Sequence, residues 1–184
     1  NSILGISGFW FFGGVVTAQL PNYTRLYLGG GASVEILVLA LFSIGVGIGS
    51  LLCERLSGHK VEIGLVPLGA FGMTLFGILL YFARHAAPAY TGLDWVAFLH
   101  APGNKWIALD MTLLGLFAGF FIVPLFALVQ SRTPQGELSR VIAGNNIINA
   151  VFLVVAAVFA FGTLAAGLTI PQLFLVTALL NAAV

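Results

Sequence analysis

Charged side chains are scarce in this chain, and their scarcity excludes a soluble fold. Only 7% of the 184 residues are charged, whereas 60% are hydrophobic. A water-soluble domain carries roughly 25% charged residues. The net charge of +1 also provides no basic surface, so we expect no nucleic-acid partner. The composition therefore predicts an integral membrane protein.

Cysteine and histidine are also rare. The single cysteine, Cys53, excludes an internal disulfide and a thiolate metal cluster. The three histidines fall in predicted loops, with no second ligand at a metal-binding spacing on a shared helix face. The sequence has neither paired carboxylates nor a serine with a plausible histidine base. We therefore expect no metal, no cofactor and no catalytic centre, so this segment is predicted not to be an enzyme.

Long apolar runs fill most of the chain. A membrane-spanning helix needs about 20 apolar residues, and the sequence divides into six such segments. They are predicted near residues 3–20, 34–53, 63–83, 106–130, from 141 onward and from 171 onward. Pro21 is expected to break or kink the first span. We predict an all-α membrane bundle of about six transmembrane helices, cut from a longer polypeptide and truncated in its last helix.

Loop charges and tryptophans predict how the bundle lies in the membrane. The turns at 54–62 and 131–140 share one side and hold four Lys and Arg residues, against three on the other side. Because these residues favour the cytoplasm, we predict that this side is cytoplasmic. Trp10, Trp95 and Trp106 are interpreted in part as markers of the bilayer boundary.

Two pairs of glycines lie inside predicted spans. Gly45 and Gly49 are four residues apart, as are Gly115 and Gly119. A nucleotide-binding glycine motif would need a strand before it and a helix opening after it, and neither is present. Small residues at this spacing let helix backbones approach closely in lipid. The two pairs therefore predict tight helix packing.

Polar side chains inside the spans are the candidates for a functional site, because polar groups are costly to place in a bilayer. Asp110 is expected about one turn into the fourth span, either as an interfacial carboxylate reached by water or as a group facing a cavity. Asn145 and Asn149 share one helix face at a spacing of four residues, and Asn146 adjoins them. They predict either hydrogen bonds between helices or the lining of a polar cavity.

A second polar group flanks the proline of the first span. Gln19 and Asn22 lie on either side of Pro21, where freed carbonyls need partners or a water-filled space. We expect a gate or a binding residue at this point.

The stretch 49–62, GSLLCERLSGHKVE, resembles the loop signature of the major facilitator superfamily. That signature has a small residue, an acidic and a basic residue, a further small residue and basic residues, and it joins the second and third helices of each six-helix half. Here Glu54 replaces the usual aspartate and His59 the first basic residue, and an extra small residue stands at 57–58. Segments 8–13, 19–24, 119–125 and 143–150 resemble the bacterial lysophospholipid transporters, in the form fused to a glycerophospholipid acyltransferase and an acyl-carrier-protein ligase.

The resemblance implies that residues 1–184 are the C-terminal six-helix bundle of an alternating-access transporter. The implied substrate is a lysophospholipid, with lysophosphatidylethanolamine as the expected case, moved across the bacterial inner membrane for reacylation. The implied partners are membrane lipid, the missing N-terminal half and the fused acyltransferase and ligase domains.

The resemblance also implies roles for individual residues. The substrate path would include Gln19, Asn22, Asp110, Asn145, Asn146 and Asn149. A cytoplasmic latch between the halves would include Glu54, Arg55 and Lys60.

Other functions fit the same composition. An exporter of drugs or sugars would keep the architecture and change the cargo. A membrane anchor for attached enzymes would need no cavity. A six-helix channel is disfavoured because no filter motif is visible in the sequence.

Overall fold

The structure, a computed structural model, describes residues 1–58, 62–83 and 91–182. Within these ranges the chain forms seven α-helices and no strand. Five of these helices are long and apolar enough to cross a membrane. The helices are α1 (Ser2–Tyr27), α2 (Ala32–Leu56), α3 (Leu65–Phe82), α4 (Trp95–His100), α5 (Asn104–Arg132), α6 (Leu138–Ala165) and α7 (Ile170–Ala182).

The predicted all-α fold is confirmed, with five helices long and apolar enough to cross a membrane. The predicted spans agree with the helices to within a few residues, except that α1 continues to Tyr27, well past the predicted end of the first span at residue 20. The sixth span corresponds to α7, which has 13 residues in the described part of the chain. At 1.5 Å per residue this gives about 20 Å, shorter than the ~30 Å of hydrocarbon that a spanning helix crosses.

Pro21 was predicted to break or kink the first span, and the prediction of a break is wrong. Pro21 lies inside α1, which continues as an α-helix to Tyr27. A proline removes one backbone donor, but the turn that follows it is firmly packed, with Leu20, Tyr23 and Thr24 buried. We attribute the continuity of α1 to this packing, which outweighs the loss of one hydrogen bond.

The predicted loop between the third and fourth spans contains a short helix, α4, which the sequence analysis missed. Asp94 caps it, because its Oδ1 accepts a hydrogen bond of 2.8 Å from the Ala97 N–H. The residue before this cap is joined to the loop between α1 and α2: the Gly31 N–H donates to the Leu93 carbonyl at 2.8 Å, and the Leu93 N–H donates to the Gly29 carbonyl at 3.0 Å. These two hydrogen bonds hold the α1–α2 loop against the segment that precedes α4.

The predicted glycine packing is confirmed at the contact between α2 and α5. A Cβ atom added at Gly45 would collide with the backbone carbonyl of Thr112, and one added at Gly49 would collide with that of Leu116. The relation is reciprocal, because a Cβ at Gly115 would collide with the Phe42 carbonyl. The two helices therefore meet backbone to backbone, as small residues allow in lipid.

The outer surface of the bundle is apolar. Its exposed side chains include Phe161 at 76%, Trp106 at 73% and Phe82 at 69% exposure. Several hydroxyl groups on the helices are satisfied locally: Ser43 Oγ, for example, donates to the Leu39 carbonyl at 2.9 Å, and Thr163 Oγ1 to the Phe159 carbonyl at 2.8 Å. Such bonds satisfy these hydroxyl groups within their own helix.

Tyr23 joins α1 to α3 and α7. Its hydroxyl donates to the Leu80 carbonyl at 2.6 Å, and its ring centroid lies 5.1 Å from that of Phe174. Leu80 is in the last turn of α3, where helix carbonyls lack intrahelical partners. The tyrosine therefore caps α3 from a neighbouring helix.

Replacing Tyr23 with phenylalanine is expected to lower stability by about 1 kcal/mol, because one buried hydrogen bond is lost. The melting temperature in detergent should fall by about 2–4 °C. Tyr27→Phe is the control, since that ring stacks on Tyr23 but its hydroxyl makes no hydrogen bond to the described residues. Equal melting temperatures for the two variants would contradict the capping role.

Candidate functional site

Two of the predicted asparagines meet α1 inside the bundle. Asn145 and Asn149 are buried, at 2% and 6% exposure, and they lie on the face of α6 that packs against α1. Ser7 of α1 is fully buried opposite them. Together with Trp10, these residues form what we call the asparagine cluster.

The Asn149 amide is best satisfied with its nitrogen toward Ser7. Its Nδ2 then donates to Ser7 Oγ at 2.8 Å and to the Asn145 carbonyl at 3.3 Å, and its Oδ1 accepts from Asn145 Nδ2 at 3.0 Å and from Trp10 Nε1 at 3.2 Å. In the opposite orientation the Ser7 hydroxyl donates to the amide oxygen at 2.8 Å. Asn149 therefore makes hydrogen bonds between helices, one of the two roles predicted for it.

Asn145 has a polar atom left over. Its Oδ1 is buried and accepts no hydrogen bond from the described residues. A buried acceptor without a donor costs about 1–3 kcal/mol. This oxygen is therefore an unsatisfied acceptor inside the asparagine cluster.

An apolar cavity of about 430 Å³, which we call the α1–α6 cavity, lies near the asparagine cluster, although no residue of the cluster is among its described lining residues. Gly8, which follows Ser7, lines it from α1, and Phe152, three residues after Asn149, lines it from α6. Four phenylalanines line it, and a Cβ atom added at Gly8 would meet no atom within 4 Å. The six lining residues that shape it are Gly5, Gly8, Phe11, Phe12, Phe121 and Phe152.

The far wall of this cavity is α7, which is fixed in place by a polar contact. Asn181, at the rim of the cavity, donates from Nδ2 to the Ala70 carbonyl and to Thr74 Oγ1, both at 3.0 Å. These bonds tie the end of α7 to α3. The α7 side of the cavity is therefore held in place, and the asparagine cluster lies near the α1 and α6 side.

Asp110 lies apart from the asparagine cluster. It is six residues into α5, nearly two turns rather than the one turn predicted. Its side chain is buried at 6% exposure and lines a groove between α3 and α5. The α1–α6 cavity and this groove have no lining residue in common.

The remaining predicted site residues are at other places. Gln19 is half-buried and Asn22 exposed, and the Asn22 Nδ2 donates to Gln19 Oε1 at 3.4 Å. Asn146 is exposed beside the asparagine cluster. The structure does not bring these three side chains together.

The residues of the predicted latch lie at the end of α2. Glu54 and Arg55 are both exposed there. Lys60 is outside the residues that the structure describes. A latch between two halves stays a prediction.

Sequence reasoning missed Ser7, Trp10 and the cavity. Ser7 is 142 residues away from its partner Asn149, and no local pattern relates the two. Trp10 was interpreted in part as a boundary marker, yet its indole N–H is aimed at a buried amide. A small polar residue and an indole on one face of an apolar helix were the available signal.

Comparison with known proteins adds no relative to this description. Searches against protein-family models, curated proteins and solved structures found no match.

Proposed function

We propose that this chain is one half of an alternating-access transporter of the major facilitator type and that its substrate is a lysophospholipid. The observation that carries the proposal is the asparagine cluster next to the α1–α6 cavity. A lysophospholipid has one acyl chain and a polar head, which match an apolar cavity beside amide groups. The volume of about 430 Å³ lies in the range of about 300–1,000 Å³ that ligand sites occupy.

The helix contacts support a transporter architecture. α1 packs on α6, α2 on α5 and α3 on α7. Suppose that α1, α2 and α3 form one repeat and that α5, α6 and α7 are the corresponding helices of a second repeat. The contact between α1 and α6 then corresponds to the contact between α5 and α2. Nested three-helix repeats of this kind occur in each half of a major facilitator transporter.

Proline positions support the same pairing. Pro21 lies inside α1 and Pro124 inside α5, each toward the C-terminal end of its helix. Both helices continue through their prolines, so the shared position is a likeness between the two repeats and not an interruption.

The proposal extends to orientation and partners. The α1–α6 cavity is formed by the first part of α1 and the last part of α7, at the end of the bundle where α2 ends. With that end in the cytoplasm of a bacterial cell, the site would deliver lysophospholipid toward fused acyltransferase and ligase domains. An N-terminal half would supply the missing wall.

An anchor for attached enzymes is the second candidate. It is favoured by one observation, that the amide of Asn149 is satisfied by groups of this chain. A binding residue usually keeps polar atoms for its ligand, as Asn145 Oδ1 does. The transporter needs the α1–α6 cavity for its activity, whereas the membrane anchor does not.

Filling the cavity tests the proposal. Gly8→Leu adds a side chain where a Cβ meets no atom within 4 Å, so the fold should be kept while the cavity is filled. In the full-length protein, lysophosphatidylethanolamine flux into inverted vesicles is expected to fall at least tenfold, about 1.4 kcal/mol.

Gly47→Leu is the matched control, because Gly47 is exposed on α2 and its added Cβ also meets nothing within 4 Å. Wild-type flux is expected for this variant. If Gly8→Leu is expressed normally and transports at the wild-type rate, the cavity is not the acyl-chain site. Retained acyltransferase activity without any lipid flux in the wild-type protein would instead favour the anchor.

A further inference from the structure

The groove that contains Asp110, which we call the α3–α5 groove, is separate from the proposed transport site. It has a volume of about 340 Å³. α3 contributes Phe76, Leu79 and Phe82, and α5 contributes Trp106, Asp110 and Leu113. Phe82 and Trp106 are exposed at its rim, so the groove opens on the outer surface of the bundle, where lipid would lie.

Asp110 is the only acidic residue among the lining residues, and it has no partner within the described part of the chain. Both carboxyl oxygens are buried and neither accepts a hydrogen bond. A buried acceptor without a donor costs about 1–3 kcal/mol. The carboxyl group is therefore an acceptor on the wall of the groove that receives no hydrogen bond from the described residues.

The depth of Asp110 suits a lipid headgroup. α5 has 29 residues, or about 43 Å, so a centred helix extends about 7 Å beyond each side of a ~30 Å hydrocarbon layer. Asp110 lies about 9 Å along the helix from Asn104. Its carboxyl group is thus just below the level where hydrocarbon meets headgroups.

The groove also specifies the chemistry of its occupant. The carboxyl oxygens need N–H or O–H donors and favour positive charge, and aromatic rings such as those of Phe76 and Trp106 attract cations over their faces. An anionic headgroup would be repelled. A quaternary ammonium group has charge but no N–H to donate. A primary ammonium group with apolar chains meets every requirement.

We propose that the α3–α5 groove binds the primary ammonium headgroup of a bilayer phospholipid, with Asp110 accepting its N–H donors and the aromatic rim packing on its chains. The lipid is held at the surface of the bundle and is not the transported molecule. This inference does not depend on the proposed transport function, because the two sites share no lining residue.

The test is lipid binding by native mass spectrometry on the full-length protein in detergent. The probes are dioleoyl phosphatidylethanolamine, its N-methyl derivative, phosphatidylcholine and phosphatidylglycerol. The wild-type protein is expected to bind one phosphatidylethanolamine at least tenfold more tightly than phosphatidylcholine, with the N-methyl lipid between them. Asp110→Asn, which keeps the shape and removes the charge, is expected to abolish this preference.

Asp94→Asn is the matched control. It makes the same chemical change at the same end of the bundle, and asparagine caps a helix as well as aspartate does, so the lipid preference should be kept. A second variant, Leu113→Trp, fills the groove with Asp110 intact and should weaken phosphatidylethanolamine binding at least tenfold.

Three results would overturn the proposal. They are equal binding of phosphatidylethanolamine and phosphatidylcholine by the wild-type protein, an unchanged preference in Asp110→Asn, and an equal loss in Asp94→Asn. Equal binding of the two lipids would mean that the groove holds acyl chains only. Because lipid flux is not measured, failure of this experiment leaves the transport proposal to its own test.

Discussion

Replacing Gly45 with alanine is expected to separate α2 from α5 and to destabilise the bundle by about 3 kcal/mol, the upper end of the usual cost of overpacking. The reason is that the added methyl group would meet backbone, the Thr112 carbonyl, with Leu116 N at 2.9 Å. A side chain could rotate away from the new atom, whereas a helix backbone can only move as a whole. Close approach is also what holds such helices together in lipid.

The separation of α2 from α5 can be measured by the chemical reactivity of Cys53. Cys53 is the single cysteine, is buried at 3% exposure and follows Gly45 and Gly49 at the same spacing along α2. Alkylation of Cys53 through an open state should accelerate more than a hundredfold for a loss of about 3 kcal/mol. Gly47→Ala, two residues away and facing open space, should label at the wild-type rate. Equal labelling of the two variants would contradict the backbone contact.

Replacing Asn149 with leucine is expected to lower stability by about 2–3 kcal/mol. Hydrogen bonds between membrane helices contribute only about 0.6 kcal/mol on average, so the lost bonds are the smaller effect. The larger one is that the fully buried Ser7 hydroxyl loses its partner, at about 1–3 kcal/mol for a buried orphan. Thermal unfolding in detergent measures the sum.

A double-mutant cycle separates these two contributions. Ser7→Ala removes the orphaned hydroxyl, so the double variant with Asn149→Leu should be little less stable than Asn149→Leu alone, with a coupling energy of about 1 kcal/mol or more. Asn146→Leu is the control, because that neighbouring amide is exposed and should change stability by less than about 0.5 kcal/mol. Strict additivity of the two substitutions would show that Ser7 and Asn149 do not interact.

The features that could be predicted from the sequence are those that depend on residues close together along the chain. Span positions follow from apolar runs, and the packing at Gly45 and Gly115 follows from their spacing to a second glycine. Pro21 was misjudged because its local effect is real but the buried residues that override it, such as Tyr23, bond to another helix. The helix α4 was missed because six residues carry too little periodicity to stand out from a loop.

The candidate site shows the same division. The shared face of Asn145 and Asn149 follows from a spacing of four residues. Their partners on α1 and the cavity beside them depend on how α1 and α6 pack, and no pattern within either helix encodes that. Whether Asp110 faced water or a cavity was left open for the same reason, since its surroundings come from α3.

The glycine contact between α2 and α5 bears on how the bundle can move. Carbonyl groups of each helix sit in notches of the other, so sliding by a fraction of a turn would drive backbone into backbone. By contrast, α1 touches α5 through side chains, such as Leu125 near Gly5 and the Phe9 ring stacked on Phe121. Any rocking motion would therefore move α2 and α5 together as one rigid body, whereas the contact of α1 with α5 has no such backbone interlock.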